Sequence, residues 1–113
     1  MTTGSVEKEH AELERPPEVF ELAAELFRVL STPMRLKIVS CLREGEQNVS
    51  YLLSKIETTR PNMSQHLNTL YKAGVLGRRR DGVQILYRIV DERVAELCCA
   101  VCKQVEIKGQ SSN

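Results

Sequence analysis

The chain has no tryptophan, and only three Tyr and two Phe stand among its 113 residues, so any core must be aliphatic. No apolar run approaches the roughly 20 residues that cross a bilayer, and no membrane partner is expected. The first fifteen residues lack the basic start and apolar stretch of a signal peptide. A cytoplasmic location is therefore expected, where thiols stay reduced. Four cysteines in such a chain point to metal binding or redox chemistry rather than to a disulfide framework. Histidine is scarce too, with only His10 and His66. Neither falls into a Ser/His/Asp or Cys/His set, so no enzyme is expected.

What is present is an ordinary globular composition, 42% hydrophobic and 27% charged, long enough for one modest core. The formal net charge of +1 conceals a segregation. Residues 1–25 carry seven acids against Lys8 and Arg15, whereas residues 60–88 carry six bases against Asp81. A polyanion would feel the second region as a basic field.

Residues 1–15 read as a flexible acidic tail, 16–107 as one domain, and 108–113 as a second flexible tail. Pro16-Pro17 suits a helix start, and Val19, Leu22, Ala23, Leu26, Phe27 and Leu30 then repeat at helical spacing. Ser31-Thr32-Pro33 stops that helix and caps a second, which Gly45 ends. Asn48 or Ser50 opens a short third. Thr58-Thr59-Arg60-Pro61 leads a fourth, with Met63, Leu67 and Leu70 inward and Ala73-Gly74 as its stop. Two β-prone runs flank Arg80-Asp81-Gly82, a hairpin signal. Asp91-Glu92 starts a last helix to about Val105. The predicted class is α+β, mostly helical: four helices, a β-hairpin and a C-terminal helix.

A helix fits the major groove and reads base edges with its exposed side chains. If Met63, Leu67 and Leu70 face inward, then Asn62, Ser64, Gln65, Asn68 and Thr69 face outward. Gln and Asn pair bidentately with adenine, and Ser or Thr bonds bases or phosphates. Arg60, Arg79 and Arg80 would contact phosphate. His66 is either a packed, hydrogen-bonded histidine or a DNA contact. The rival reading of the same pattern is a winged-helix protein-interaction module that binds no DNA.

Three segments carry a resemblance. Leu30-Ser31-Thr32-Pro33-Met34-Arg35-Leu36-Lys37-Ile38 resembles the start of the second helix in the ArsR/SmtB family of repressors. The stretch from Asn62 to Leu76, with Ser64-Gln65-His66-Leu67 and Ala73-Gly74, resembles that family's recognition helix. Arg79-Arg80-Asp81-Gly82 with Tyr87 resembles its wing. The likeness spans about residues 19–105. It implies a winged helix-turn-helix homodimer held by its first and last helices. Such a dimer binds a palindromic operator in double-stranded DNA and releases it when an inducer binds. The apolar stripes of the first helix and of Val94, Leu97, Val101 and Val105 exceed what one small core needs, which agrees with a dimer.

The inducer has to be sought residue by residue. The family's Cys-x-Cys metal motif has no counterpart in Gln47–Leu53, and its last-helix zinc site keeps only Asp91 here. A thiol- or persulfide-sensing branch pairs a second-helix cysteine with a late one. Its first cysteine aligns with Ser40, and Cys41 is one position on, rotated by about 100°. Its second falls near Glu106, one turn beyond Cys102. Cys98, Cys99 and Cys102 lie within little more than one helical turn, and three thiolates there suit a thiophilic ion such as As(III) or a soft metal. Thiol-triggered release by such a metal(loid) is the first expectation, and a disulfide or persulfide switch that also uses Cys41 is the second. Cys41 and Cys98 can equally be packing residues. No obligatory cofactor is implied.

Overall fold

The computed structural model describes residues 14–111. The acidic stretch before Glu14 and the last two residues lie outside them. The elements run α1 (Pro17–Leu30), α2 (Pro33–Leu42), β1 (Gln47–Asn48), α3 (Val49–Lys55), α4 (Arg60–Lys72), β2 (Leu76–Asp81), β3 (Gln84–Ile89) and α5 (Glu92–Ser111). The fold is the predicted winged helix-turn-helix, with α3 and α4 as the helix pair and β2–β3 as the wing.

Short polar side chains start four of the helices. Thr32 accepts from the Arg35 N–H at the head of α2, Asn48 from Tyr51 at α3, and Thr59 from Asn62 at α4. Asp91 accepts from Val94 at α5. Each satisfies a donor that the first turn of a helix leaves free. At the other end of α4, Val75 N–H reaches the Leu70 carbonyl and Gly74 N–H reaches that of Tyr71. Gly74 has φ +80° there. This is a Schellman stop, closed by the buried pair Val75 and Leu70.

The wing turns on Gly82-Val83, with Asp81 opposite Gln84. Gly82 alone has a positive φ, +65°, the signature of a type II′ turn. The sheet has a third strand that the sequence pattern did not announce. β1 pairs antiparallel with β3, Gln47 opposite Tyr87 and Asn48 opposite Leu86, giving the order β1-β3-β2. Two residues are too few to display the alternation by which a strand is recognised.

Ile38, Val39, Leu52, Met63, Leu67, Leu70, Val75 and Leu76 form the fully buried centre, and none of the buried residues is polar or charged. Met63, Leu67 and Leu70 face inward as expected. The first helix departs from its stripe: only Val29 and Leu30 are buried, and Leu26 is half-buried, while Val19, Phe20, Leu22 and Phe27 stay exposed. On α5, Val94, Ala95 and Cys98 are buried, but Leu97, Val101, Val105 and Ile107 are exposed.

α5 also runs to Ser111, past the expected end near Val105 and into the stretch 108–113 expected to be a tail. Lys108-Gly109 resembles a helix stop, yet Gly109 is not among the glycines with positive φ and so does not cap. An interior glycine costs a helix only about 1 kcal/mol relative to alanine. No helix among the described residues is long and apolar enough to cross a membrane.

Candidate nucleic-acid interface

The outer face of α4 is narrower than its spacing implied. Ser64 and Gln65 are exposed, and among the described residues their side chains have no partner. Asn68 is half-buried beside them. Thr69 turns its hydroxyl back to the Gln65 carbonyl at 3.1 Å. Asn62 is drawn to the helix start, where its amide donates to the Thr58 hydroxyl at 2.8 Å. That bond engages the side chain assigned to base reading. His66 is half-buried and accepts at Nδ1 from the Arg35 guanidinium at 3.1 Å. Burial and then the Arg35 charge hold its pKa below the ordinary value of 6.5.

The basic residues divide in the same way. Arg79 grips Glu46 with Nε and Nη2, at distances from 2.7 to 3.1 Å. That grip, more than the charge, holds the Glu46 carboxyl below the usual carboxylate range. A phosphate would have to compete with Glu46 for Arg79. Arg80, one residue on, is exposed and has no ion pair among the described residues. Arg78 lies over the Tyr71 ring, 4.0 Å from its centroid, and so fixes the base of the wing on α4. Arg60 leans towards the Ser50 hydroxyl at 3.4 Å. Together with Asn48, Val83, Gln84 and Ile85 these two line an open groove of about 390 Å³ between the wing and the helix pair.

Asn48 closes that groove from behind. Its Oδ1 caps α3 and its amide donates to the Gln84 side chain at 2.6 Å. Asn48 was read from the sequence as a helix start, which it is, but its bond to Gln84, like the roles of Glu46 and Arg35, was not. Their partners lie 31 to 36 positions away, and no local spacing signals such a bond.

The cysteines fall into two groups. Cys98, Cys99 and Cys102 line a groove of about 220 Å³ between α2 and α5, with Leu36, Val39, Ser40 and Glu106 around them. Cys98 is buried, Cys99 half-buried and Cys102 exposed. Burial, and secondarily the nearby Cys102, push the Cys98 thiol up. Cys41 lines a different pocket with Glu44, Tyr51 and Lys55, and burial raises its pKa also.

Among the described residues no three Cys, His, Asp or Glu side chains are already grouped to hold a metal ion, although the three late cysteines share one groove. Successive helical positions diverge by about 100°, which splays Cys98 from Cys99. Cys41, rotated by the same angle from Ser40, lies outside the groove of the late cysteines.

The arrangement of a helix with an exposed polar face, a basic hairpin and exposed apolar end helices has counterparts. Residues 32–76 match the family described as "Bacterial regulatory protein, arsR family". The HTH-type transcriptional repressor SmtB of Mycobacterium tuberculosis is 39% identical over 82 residues, which cover 73% of this chain and 61% of that repressor's length. An HTH-type regulator of the same organism, Rv0081, is 39% identical over 88 residues, covering 77% of this chain and 76% of its own. The crystal structure of Rv0081 superposes with a TM-score of 0.71 over 86% of this chain and 96% of that one, at 37% identity. A homodimeric winged helix-turn-helix DNA-binding domain from Mycobacterium bovis, 27% identical, gives 0.72 over 82% of this chain and 86% of its own. The antimony-specific repressor AntR, also 27% identical, gives 0.76 over 84% and 86%. On this fold and these relatives, the chain belongs to the arsR family of bacterial regulatory proteins.

Proposed function

We propose that the protein is a homodimeric, sequence-specific DNA-binding transcriptional repressor that reads a palindromic operator through α4 and the wing. The observation that carries this reading is the exposed polar pair Ser64 and Gln65 on α4, whose side chains have no partner among the described residues, together with exposed Arg60 at the start of that helix and exposed Arg80 on the wing. Such a face reads base edges while the cations hold phosphates. The exposed apolar residues of α1 and α5 supply the surface for the dimer, and a two-fold axis sets two α4 helices about one DNA turn, roughly 34 Å, apart. The named repressor and the homodimeric DNA-binding domain among the similar proteins support the same reading.

Gel shifts on promoter fragments at moderate salt test it. A good bidentate base contact is worth about 1–3 kcal/mol. Gln65→Ala is therefore expected to weaken specific binding by roughly 5–150-fold and to leave random-sequence binding unchanged. Absence of specific binding by the parent would favour a protein-interaction module instead.

Release is assigned to the α5 thiols, with a thiophilic metal or metalloid such as As(III) as trigger. Support comes from three thiols on one groove at a helix of the proposed dimer interface, and from the likeness to a repressor named for antimony. Cys98 and Cys102 are close enough to affect each other electrostatically. Cys99 lines the same groove and completes the trio. Arsenite is expected to release the operator from the parent and from Cys41→Ser, but not from Cys102→Ser. A normal arsenite response in Cys102→Ser would sink the assignment. Release by polysulfide or peroxide, with the mass of a cysteine-linked product, would move the trigger to thiol redox chemistry.

A further inference from the structure

Arg35 stands in the first turn of α2, and its guanidinium reaches two other helices at once. Nη1 donates to the Val29 carbonyl near the end of α1 at 2.9 Å, and Nε donates to His66 Nδ1 on α4 at 3.1 Å. Both bonds are partly buried, so water competes poorly for them. Among the described residues no other hydrogen bond joins α1 or α2 to α4.

One planar fork therefore joins the helix with the exposed apolar face to the helix with the exposed polar face. We propose that Arg35 is a positioning residue for DNA reading, holding α1 and α4 at the angle that brings two recognition helices into register on one duplex, with His66 as its acceptor on α4. This rests on the repressor reading above. In a two-fold dimer any tilt between the dimer helix and the reading helix appears twice and alters the separation of the two readers. Binding to a full palindrome feels that change, whereas a single half-site does not.

The bond needs an unprotonated Nδ1, because an imidazolium has no acceptor. The charged group acting on the ring is Arg35 of α2, and what α1 brings to the junction is the Val29 carbonyl. The pKa of His66 in the folded chain lies below its ordinary value. The junction is thus still intact at the pH where a free imidazole is half protonated, and is lost only as pH falls through the lowered pKa of the folded chain.

The test compares a palindromic duplex with a half-site duplex. Arg35→Lys keeps a cation but replaces the rigid planar fork with a compact ammonium on a flexible stem, which does not fix the two acceptors relative to each other. It is expected to lose roughly tenfold or more on the palindrome, within the usual range of coupling between sites, and little on the half-site. His66→Asn places an oxygen where Nδ1 stood and does not titrate. It should keep the parent's palindrome affinity near neutral pH and remove the parent's loss of affinity on acidification, a comparison that stands even where Arg35→Lys folds poorly. Equal losses on both duplexes, or none, in Arg35→Lys would overturn the proposal, as would an unchanged pH profile in His66→Asn. A parent that binds neither duplex would overturn the repressor reading and this inference with it.

Discussion

Val101→Glu is expected to yield a monomer that no longer holds a palindromic duplex. Val101 is 52% exposed in the single chain, so the change leaves the core of each protomer untouched. Along α5 it sits with Leu97 and Val105, and α1 adds Phe20, Leu22 and Phe27 to the exposed apolar surface. Association buries such surface at about 25 cal/mol per Å², and a carboxylate placed in it must be desolvated without a partner. Loss of the second half-site should lower palindrome affinity by about three orders of magnitude, towards the non-specific level. Light scattering reports the oligomer and a gel shift reports the binding. A Val101→Glu protein that is still dimeric, with parental affinity, would remove α5 from the interface.

Leu67→Ala has the largest expected effect on the fold itself. Leu67 is fully buried on the inner face of the same helix that displays Gln65, between Met63 and Leu70. Truncating such a side chain costs about 2–5 kcal/mol, since the cavity closes only in part. In a domain of this size each 1 kcal/mol lowers Tm by roughly 4–8 °C. Chemical denaturation of the Leu67→Ala and Gln65→Ala proteins separates the two faces of α4. The first should lose stability heavily, while the second should stay within about 0.5 kcal/mol of the parent. A Leu67→Ala protein as stable as the parent would contradict the packing described here.

The two faces of α4 also mark how far the sequence could be read. Its inner face follows from the spacing of three apolar residues. Its ends follow from Thr59 and Gly74, whose chemistry is local: a hydroxyl three positions from a free N–H, and a residue without a Cβ where φ is positive. The hairpin was legible for the same reason, although its turn centres on Gly82-Val83 and not on Asp81-Gly82.

Membership of the outer face was harder to infer. Asn62 and Thr69 have the right spacing, yet each has a nearer partner than solvent. Arg79 and His66 are engaged by Glu46 and Arg35, bonds that exist only once distant segments have come together. The cysteine trio was visible as a cluster, but spacing along a helix sets direction as well as distance. Direction is what separates Cys98 from Cys99 and turns Cys41 from the groove of the late cysteines.

The two-residue strand β1 has one more consequence. An isolated hairpin is marginally stable in water. Here β3 is clasped on both edges, by β2 and by β1, and β1 runs directly into α3, whose cap Asn48 also bonds Gln84. Opening the wing therefore breaks the start of the helix pair as well, so wing and helices belong to one cooperative folding unit. A hairpin built in this way is already ordered before it meets any surface, so the contacts made there do not have to offset the ordering of a loose arm.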